Sequence, residues 1–147
     1  MAAAPLLECV PNVSEGRDAS VIRRLAGAVE RGGARLIDVH RDIDHHRSVF
    51  TIIGSGDDVE RSVLALARAA VELVDLTKHR GAHPRVGAID VIPFVPLRGA
   101  SMPDAVAAAH RLGLAFAAET NVPVFFYGDA ARQRDRCELP VLRQGGF

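Results

Sequence analysis

Apolar positions along the chain recur with two periods, near 2 and near 3.6, and each change of period marks a change of element. Residues 6–10 form a short apolar run broken by Glu8, which predicts a strand ending at Pro11 and Asn12. A loop of Ser14, Glu15 and Gly16 follows. Asp18 or Ser20 then offers an acceptor for the free N–H groups of a helix start. Val21, Ile22, Leu25, Ala28 and Val29 share one face of that helix, and Gly32 and Gly33 stop it. Residues 34–39 and 48–53 read as a strand pair joined by a polar connection at 41–46, an antiparallel hairpin. Gly54, Ser55 and Gly56 break the chain, and Asp57 and Asp58 begin a long helix whose apolar face is Val59, Val63, Leu66, Ala67, Ala70, Val71 and Val74. Residues 75–85 are polar and aperiodic. Residues 87–95 predict a fourth strand, disturbed by Pro93. Ser101 and Asp104 have capping-box spacing and open a third helix, with Val106, Ala109, His110, Gly113 and Phe116 along one side. Residues 122–127 predict a fifth strand, before a charged tail.

The resulting order is β-α-β-β-α-β followed by α-β. Its first six elements are those of the ferredoxin-like split βαβ unit, so the expected class is α+β: a mainly antiparallel sheet covered by two helices and extended by a further α-β unit. The 147 residues suit a single domain over 1–147. No repeat, linker or low-complexity stretch interrupts it.

Composition narrows the function. Eighteen basic and eighteen acidic residues give a formal net charge of zero, which leaves no electrostatic footprint for nucleic acid or membrane. A small anionic ligand stays open, because local charge can differ from the total. Cys9 and Cys137 form neither a disulfide framework nor a metal knuckle and read as free thiols in a reducing compartment. The N-terminus lacks the basic start and apolar core of a signal peptide, and no run reaches membrane-span length. The expected location is cytoplasmic.

Three polar clusters lie in connections, where binding and catalytic groups concentrate. The first spans 12–17 and begins at Asn12. The second spans 40–47, with His40 and Arg47 at its ends. The third spans 79–85 and holds His79, Arg80, His83 and Arg85. His83 precedes Pro84, which biases it to an extended backbone. Histidine exchanges protons near neutrality, neighbouring arginines favour its neutral basic form, and arginines bind carboxylates bidentately. A loop histidine can equally do no more than bond backbone. His45 and His46 do not suggest a metal, since neighbours on an extended chain point to opposite sides. The bland reading of the connection that holds them is a solvated hairpin loop; the more useful one is that His40 and Arg47, at the two strand ends flanking it, face the same pocket as His83. His110, near an apolar helix face, reads as a core or boundary histidine. No phosphate loop and no nucleophile elbow is present.

The segments at 8–16 (ECVPNVSEG), 38–54 (DVHRDIDHHRSVFTIIG), 79–97 (HRGAHPRVGAIDVIPFVPL) and 122–128 (VPVFFYG) closely resemble the glutamate formimidoyltransferases, in register from about residue 6 to 147. The resemblance implies transfer of a formimino group from N-formimino-L-glutamate to N5 of tetrahydrofolate, which is the acceptor substrate, in histidine degradation. It implies two α/β subdomains with folate in the groove between them, the second lying beyond this chain. His83 stands where the family has its catalytic histidine. Arg47, Arg80 and Arg85 are candidates for holding carboxylates, with Asn12 and His40 beside them. Val13 and Val86 replace a usual phenylalanine and methionine and keep the apolar character. Three readings follow: a half-enzyme completed by a second subdomain, a homo-oligomer in which another copy supplies the missing wall, or a non-catalytic module that binds folate or formiminoglutamate.

Overall fold

The computed structural model describes residues 4–74 and 87–131. Among them are six strands and three helices: β1 (Leu6–Cys9), β2 (Asn12–Val13), α1 (Ala19–Arg31), β3 (Arg35–Asp42), β4 (Arg47–Ser55), α2 (Gly56–Leu73), β5 (Ile89–Val91), β6 (Phe94–Pro96) and α3 (Met102–Thr120). The fold is α+β, and every strand pairing is antiparallel. β4 is central. It pairs with β3 on one side and with both β1 and β2 on the other, while β6 borders β1 and β5 borders β2.

Two expected strands differ in extent. The first, expected to end at Pro11 and Asn12, stops at Cys9 and is followed by a second short strand, β2, so Asn12 belongs to the sheet and not to a loop. The fourth strand divides into β5 and β6 around Pro93. Both breaks fall at a proline, which has no N–H for a ladder. The neighbouring groups are still satisfied: Val10 donates its N–H to the Pro93 carbonyl at 3.1 Å, and Phe50 donates to the Pro11 carbonyl at 3.0 Å.

Helix starts follow the side-chain chemistry. Asp18, and not Ser20, caps α1; its carboxylate accepts the N–H of Ser20 at 2.9 Å and of Val21 at 3.3 Å. Ser55 caps α2 by accepting from Asp58 N–H. Ser101 and Asp104 form the reciprocal capping box of α3.

β4 shows why the sheet has one covered face. Ser48, Phe50 and Ile52 are fully buried, and the residues alternating with them are only half-buried. Leu7 and Cys9 join the covered face, against Leu25 and Val29 of α1, Val59, Val63 and Leu66 of α2, and Ala108 and Leu112 of α3. Each large apolar side chain buried this way contributes about 1.5–3 kcal/mol before chain entropy is counted. The buried side of α3 is Ala105, Ala108, Leu112, Gly113 and Phe116, only partly the side expected. That helix is apolar nearly all round, so its periodicity underdetermines its facing. Ion pairs tie it to α2, with Arg111 bidentate to Glu60 and Arg68 on Glu119.

The fifth strand is not formed: residues 122–127 join no ladder. They lie against α3 instead, with Phe126 and Val124 in the notch left by Gly113, where a Cβ would meet the Phe126 ring at 2.7 Å. Pro123 removes one ladder donor. A cavity of about 420 Å³ separates this segment from β5 and β6, lined by Ile89, Phe94, Val106, Ala109 and Phe125 among others. No helix among the described residues is long and apolar enough to cross a membrane.

Candidate functional site

The uncovered sheet face brings three of the expected residues together. Asn12 in β2 and His40 in β3 are both register partners of Val49 in β4, so they flank it from opposite sides, about 10 Å apart across two strand spacings. Arg47 lies two residues before Val49 on the same strand and shares its face. His40 and Arg47 are strand residues, as their expected place at the strand ends flanking the connection has it; the strands run longer than expected and leave only 43–46 as the turn. His40 is exposed, while Asn12 and Arg47 are half-buried. Arg47 Nε is buried and has no hydrogen-bond partner among the described residues. A buried guanidinium N–H left unmet costs on the order of 1–3 kcal/mol, which a bound carboxylate would recover.

His83, Arg80 and Arg85 lie outside the described residues. The chain re-enters the described fold at Gly87 and Ala88, and there Ser14 holds it. Ser14 donates its backbone N–H to the Ala88 carbonyl at 2.8 Å and its hydroxyl to the Gly87 carbonyl at 2.8 Å. This happens beside Arg47: Val13, the residue before Ser14, pairs with Ser48, the residue after Arg47.

The hairpin turn is docked, contrary to the solvated loop expected. His46, at φ 53°, accepts the Gly16 N–H on Nδ1 at 3.0 Å. Arg41 donates to the carbonyls of Gly16 at 3.3 Å and Arg17 at 2.9 Å, and Arg17 donates to the Ile43 carbonyl at 3.0 Å. The Glu15 carboxylate accepts the N–H groups of Arg17 and Asp18. Gly16 is pinched so closely that a Cβ would lie 2.4–2.6 Å from backbone atoms of Asp42 and Arg47. Sequence reasoning missed this clasp; its one local signal is Glu15 standing three residues before a helix cap.

Electrostatics at the turn are local. Asp42 accepts the His45 N–H at 2.9 Å and meets His45 Nδ1 at 2.7 Å. The backbone bond from His45, then the His45 ring, hold its carboxyl below the usual carboxylate range. No group of three or more His, Cys, Asp or Glu side chains among the described residues is placed to hold a metal ion. Elsewhere, burial pushes the Cys9 thiol well above its ordinary value. His110 bonds the Ala130 carbonyl through Nε2 at 2.8 Å and meets Phe126 edge-on at 4.7 Å between ring centres.

Asn12, His40 and Arg47 thus share the uncovered face of an antiparallel sheet whose other face is covered by helices. The chain belongs to the family of the formiminotransferase domain, N-terminal subdomain, whose model matches residues 6–147. It is 45% identical over 143 residues to the formimidoyltransferase-cyclodeaminase of Sus scrofa, covering 97% of this chain and 26% of that protein. It is 41% identical over 143 residues to the glutamate formimidoyltransferase of Thermoplasma acidophilum, covering 97% of this chain and 47% of that protein. The glutamate formimidoyltransferase of Streptococcus pyogenes is 38% identical over 145 residues, covering 98% of this chain and 48% of that protein. The chain thus spans between about a quarter and a half of the length of the curated relatives it matches.

Proposed function

We propose that this chain supplies one wall of a glutamate formimidoyltransferase site, at which a formimino group passes from N-formimino-L-glutamate to N5 of tetrahydrofolate in histidine degradation. Membership of the family over residues 6–147 carries the reading. Arg47 Nε, buried on the open sheet face and without a hydrogen-bond partner among the described residues, supports it, because both substrates bear carboxylates. The other wall comes from a second formiminotransferase subdomain or from another copy of the chain, and the expected location is the cytoplasm. The pairing order, β3 next to β4, then β1 with β2, then β5 with β6, supports reading the sheet as ferredoxin-like.

In this reading His83 moves the protons. N5 of tetrahydrofolate attacks the amidine carbon, and as the C–N bond forms its proton passes to the neutral imidazole. The tetrahedral intermediate then breaks its bond to the glutamate nitrogen, which takes the proton back from the imidazolium. The histidine ends as it began, base first and acid second. Arg47, Arg80 and Arg85 hold carboxylates, and Asn12 and His40 offer hydrogen bonds from the sheet. The test is formimino transfer by the pure chain, beside tetrahydrofolate and formiminoglutamate binding. His83→Ala is expected to lower transfer roughly 10²–10⁴-fold. Transfer that persists in His83→Ala would sink the role of His83, and a chain that neither transfers nor binds either ligand, alone or mixed with a second formiminotransferase subdomain, would sink the whole reading.

A further inference from the structure

We propose that Asp42 and His45 form a restraint that keeps Arg47 open to a substrate carboxylate: His45 holds the Asp42 carboxylate at the hairpin turn, away from the guanidinium across the strand pair. The proposal rests on the transferase reading above. Asp42 and Arg47 are register partners, the last pair of β3 and β4 before the turn. Side chains directly opposite on antiparallel strands have Cβ atoms about 4.5–5.5 Å apart, within easy reach for an aspartate and an arginine. The pair is nevertheless not made. Asp42 Oδ1 accepts the His45 N–H at 2.9 Å, and Oδ2 accepts from His45 Nδ1 at 2.7 Å. Among the described residues Arg47 forms no salt bridge, and its buried Nε has no hydrogen-bond partner.

The backbones on both sides of this pair are fixed, because Gly16 is pressed against the Asp42 carbonyl and the Arg47 peptide. Only the side chains can choose partners. The other arginine nearby, Arg41, is committed to the carbonyls of Gly16 and Arg17. The choice at Asp42 is therefore between His45 and Arg47. What holds its carboxyl below the usual range is first the His45 backbone bond, then the His45 ring, and last the charge of Arg47, which acts without a hydrogen bond. Without the His45 ring, Oδ2 loses its partner and can turn to the arginine opposite. An Arg47 so paired has to give up Asp42 before it can take a substrate carboxylate, and affinity falls by the strength of that pair. His45 and Asp42 are thus positioning residues that touch no substrate and act through Arg47.

The test is the Nε–H NMR signal of Arg47 in the full chain, labelled at arginine and assigned by its loss in Arg47→Lys, followed during titration with N-formimino-L-glutamate, alone and with a second formiminotransferase subdomain added. His45→Ala is expected to shift the Arg47 signal before any ligand is added and to weaken binding roughly 5-fold. Both effects should vanish when His45→Ala is made in an Asp42→Asn background, which a merely structural role of His45 would not explain. His45→Asn, which keeps a side-chain donor near the place of Nδ1, should restore both. His45→Phe keeps the ring without the donor and serves if the alanine variant fails to fold. An Arg47 signal and an affinity indifferent to His45→Ala and His45→Phe, or changed equally in the Asp42→Asn background, would overturn the proposal. An Arg47 signal that shifts in His45→Ala yet never responds to the ligand would overturn the role of Arg47 in the transferase reading and leave the restraint itself standing. A ligand response with no effect of His45 would do the reverse.

Discussion

The hydroxyl of Ser62 accepts the backbone N–H of Ala34 at 3.0 Å and donates to the Val29 carbonyl at 2.7 Å, so one fully buried side chain of α2 closes the turn between α1 and β3. Gly32 lies against it so tightly that a Cβ would sit 2.4 Å from Ser62 Cα. Ser62→Ala leaves the Ala34 N–H buried without a partner. The expected loss of folding stability is about 1–3 kcal/mol, read by chemical denaturation. A loss below a few tenths of a kcal/mol would mean that the turn finds another acceptor.

Gly16→Ala is expected to be worse. The atoms that a Cβ would meet are the Asp42 carbonyl oxygen and the Arg47 nitrogen and oxygen, all backbone, and none can swing aside as a side chain could. Accommodation requires the 15–17 loop and the hairpin to separate, which breaks the bond from Gly16 to His46. The expected outcome is a variant destabilised by more than about 2 kcal/mol or one recovered only as aggregate. Wild-type stability in Gly16→Ala would show that the clasp is not held as described.

How much of this was legible in the sequence depends on the range of the interactions. Asp18, Ser55 with Asp58, and Ser101 with Asp104 act within a few residues, so helix starts could be read to within a residue or two. The composition of 48–53 marked a strand but not its covered face, because Ser48 is buried there while Val49 is not. The split at Pro11 was not legible, because resumption of the strand depends on pairing with β4 and β5, far along the chain. The sequence of 122–127 is right for a strand, yet Phe126 and Val124 found the Gly113 notch, which no local pattern reports. At the site, the shared face of Asn12, His40 and Arg47 needed the register to be seen, and the anchoring by Ser14 needed a contact 73 positions away.

Acid should weaken the start of α1. Asp18 has its carboxyl held below the ordinary range, first by the Ser20 hydroxyl and then by the N–H groups of Val21 and Ser20. A carboxyl depressed in the folded state contributes stability that is full above its unfolded pKa, about 3.9, and is lost as pH falls through the lower folded value. Asp42 acts in the same direction through His45. Asp18→Asn keeps an acceptor for the cap and cannot ionise. Denaturation of both proteins at pH 6 and pH 3 should show the wild type losing more stability than the variant. Equal losses would remove Asp18 from the acid response.

The Cys9 thiol should be inert in the folded protein. It is fully buried, and burial is the main cause that pushes its thiol up, so the reactive thiolate is scarce at neutral pH. In a Cys137→Ser background, a thiol reagent at pH 7 is expected to label Cys9 only as fast as the protein opens, with full labelling in denaturant. Rapid labelling of the native protein would place Cys9 outside the core.

Tyr127 is the only tyrosine of a chain that has no tryptophan, so near-ultraviolet emission reports directly on the segment that lies on α3. The His110 imidazole helps to hold that segment, through its bond to the Ala130 carbonyl and its edge-on contact with Phe126. His110→Ala removes both, while the capping box and the Arg111–Glu60 pair keep α3 in place. The expected result is stronger quenching of tyrosine emission by iodide or acrylamide with little change in far-ultraviolet circular dichroism. His110→Asn can restore the bond without the ring contact, so partial recovery would apportion the two. If quenching is unchanged in His110→Ala, the segment is held without His110, and Gly113→Val, which fills the notch that seats Phe126 and Val124, becomes the variant that should release it.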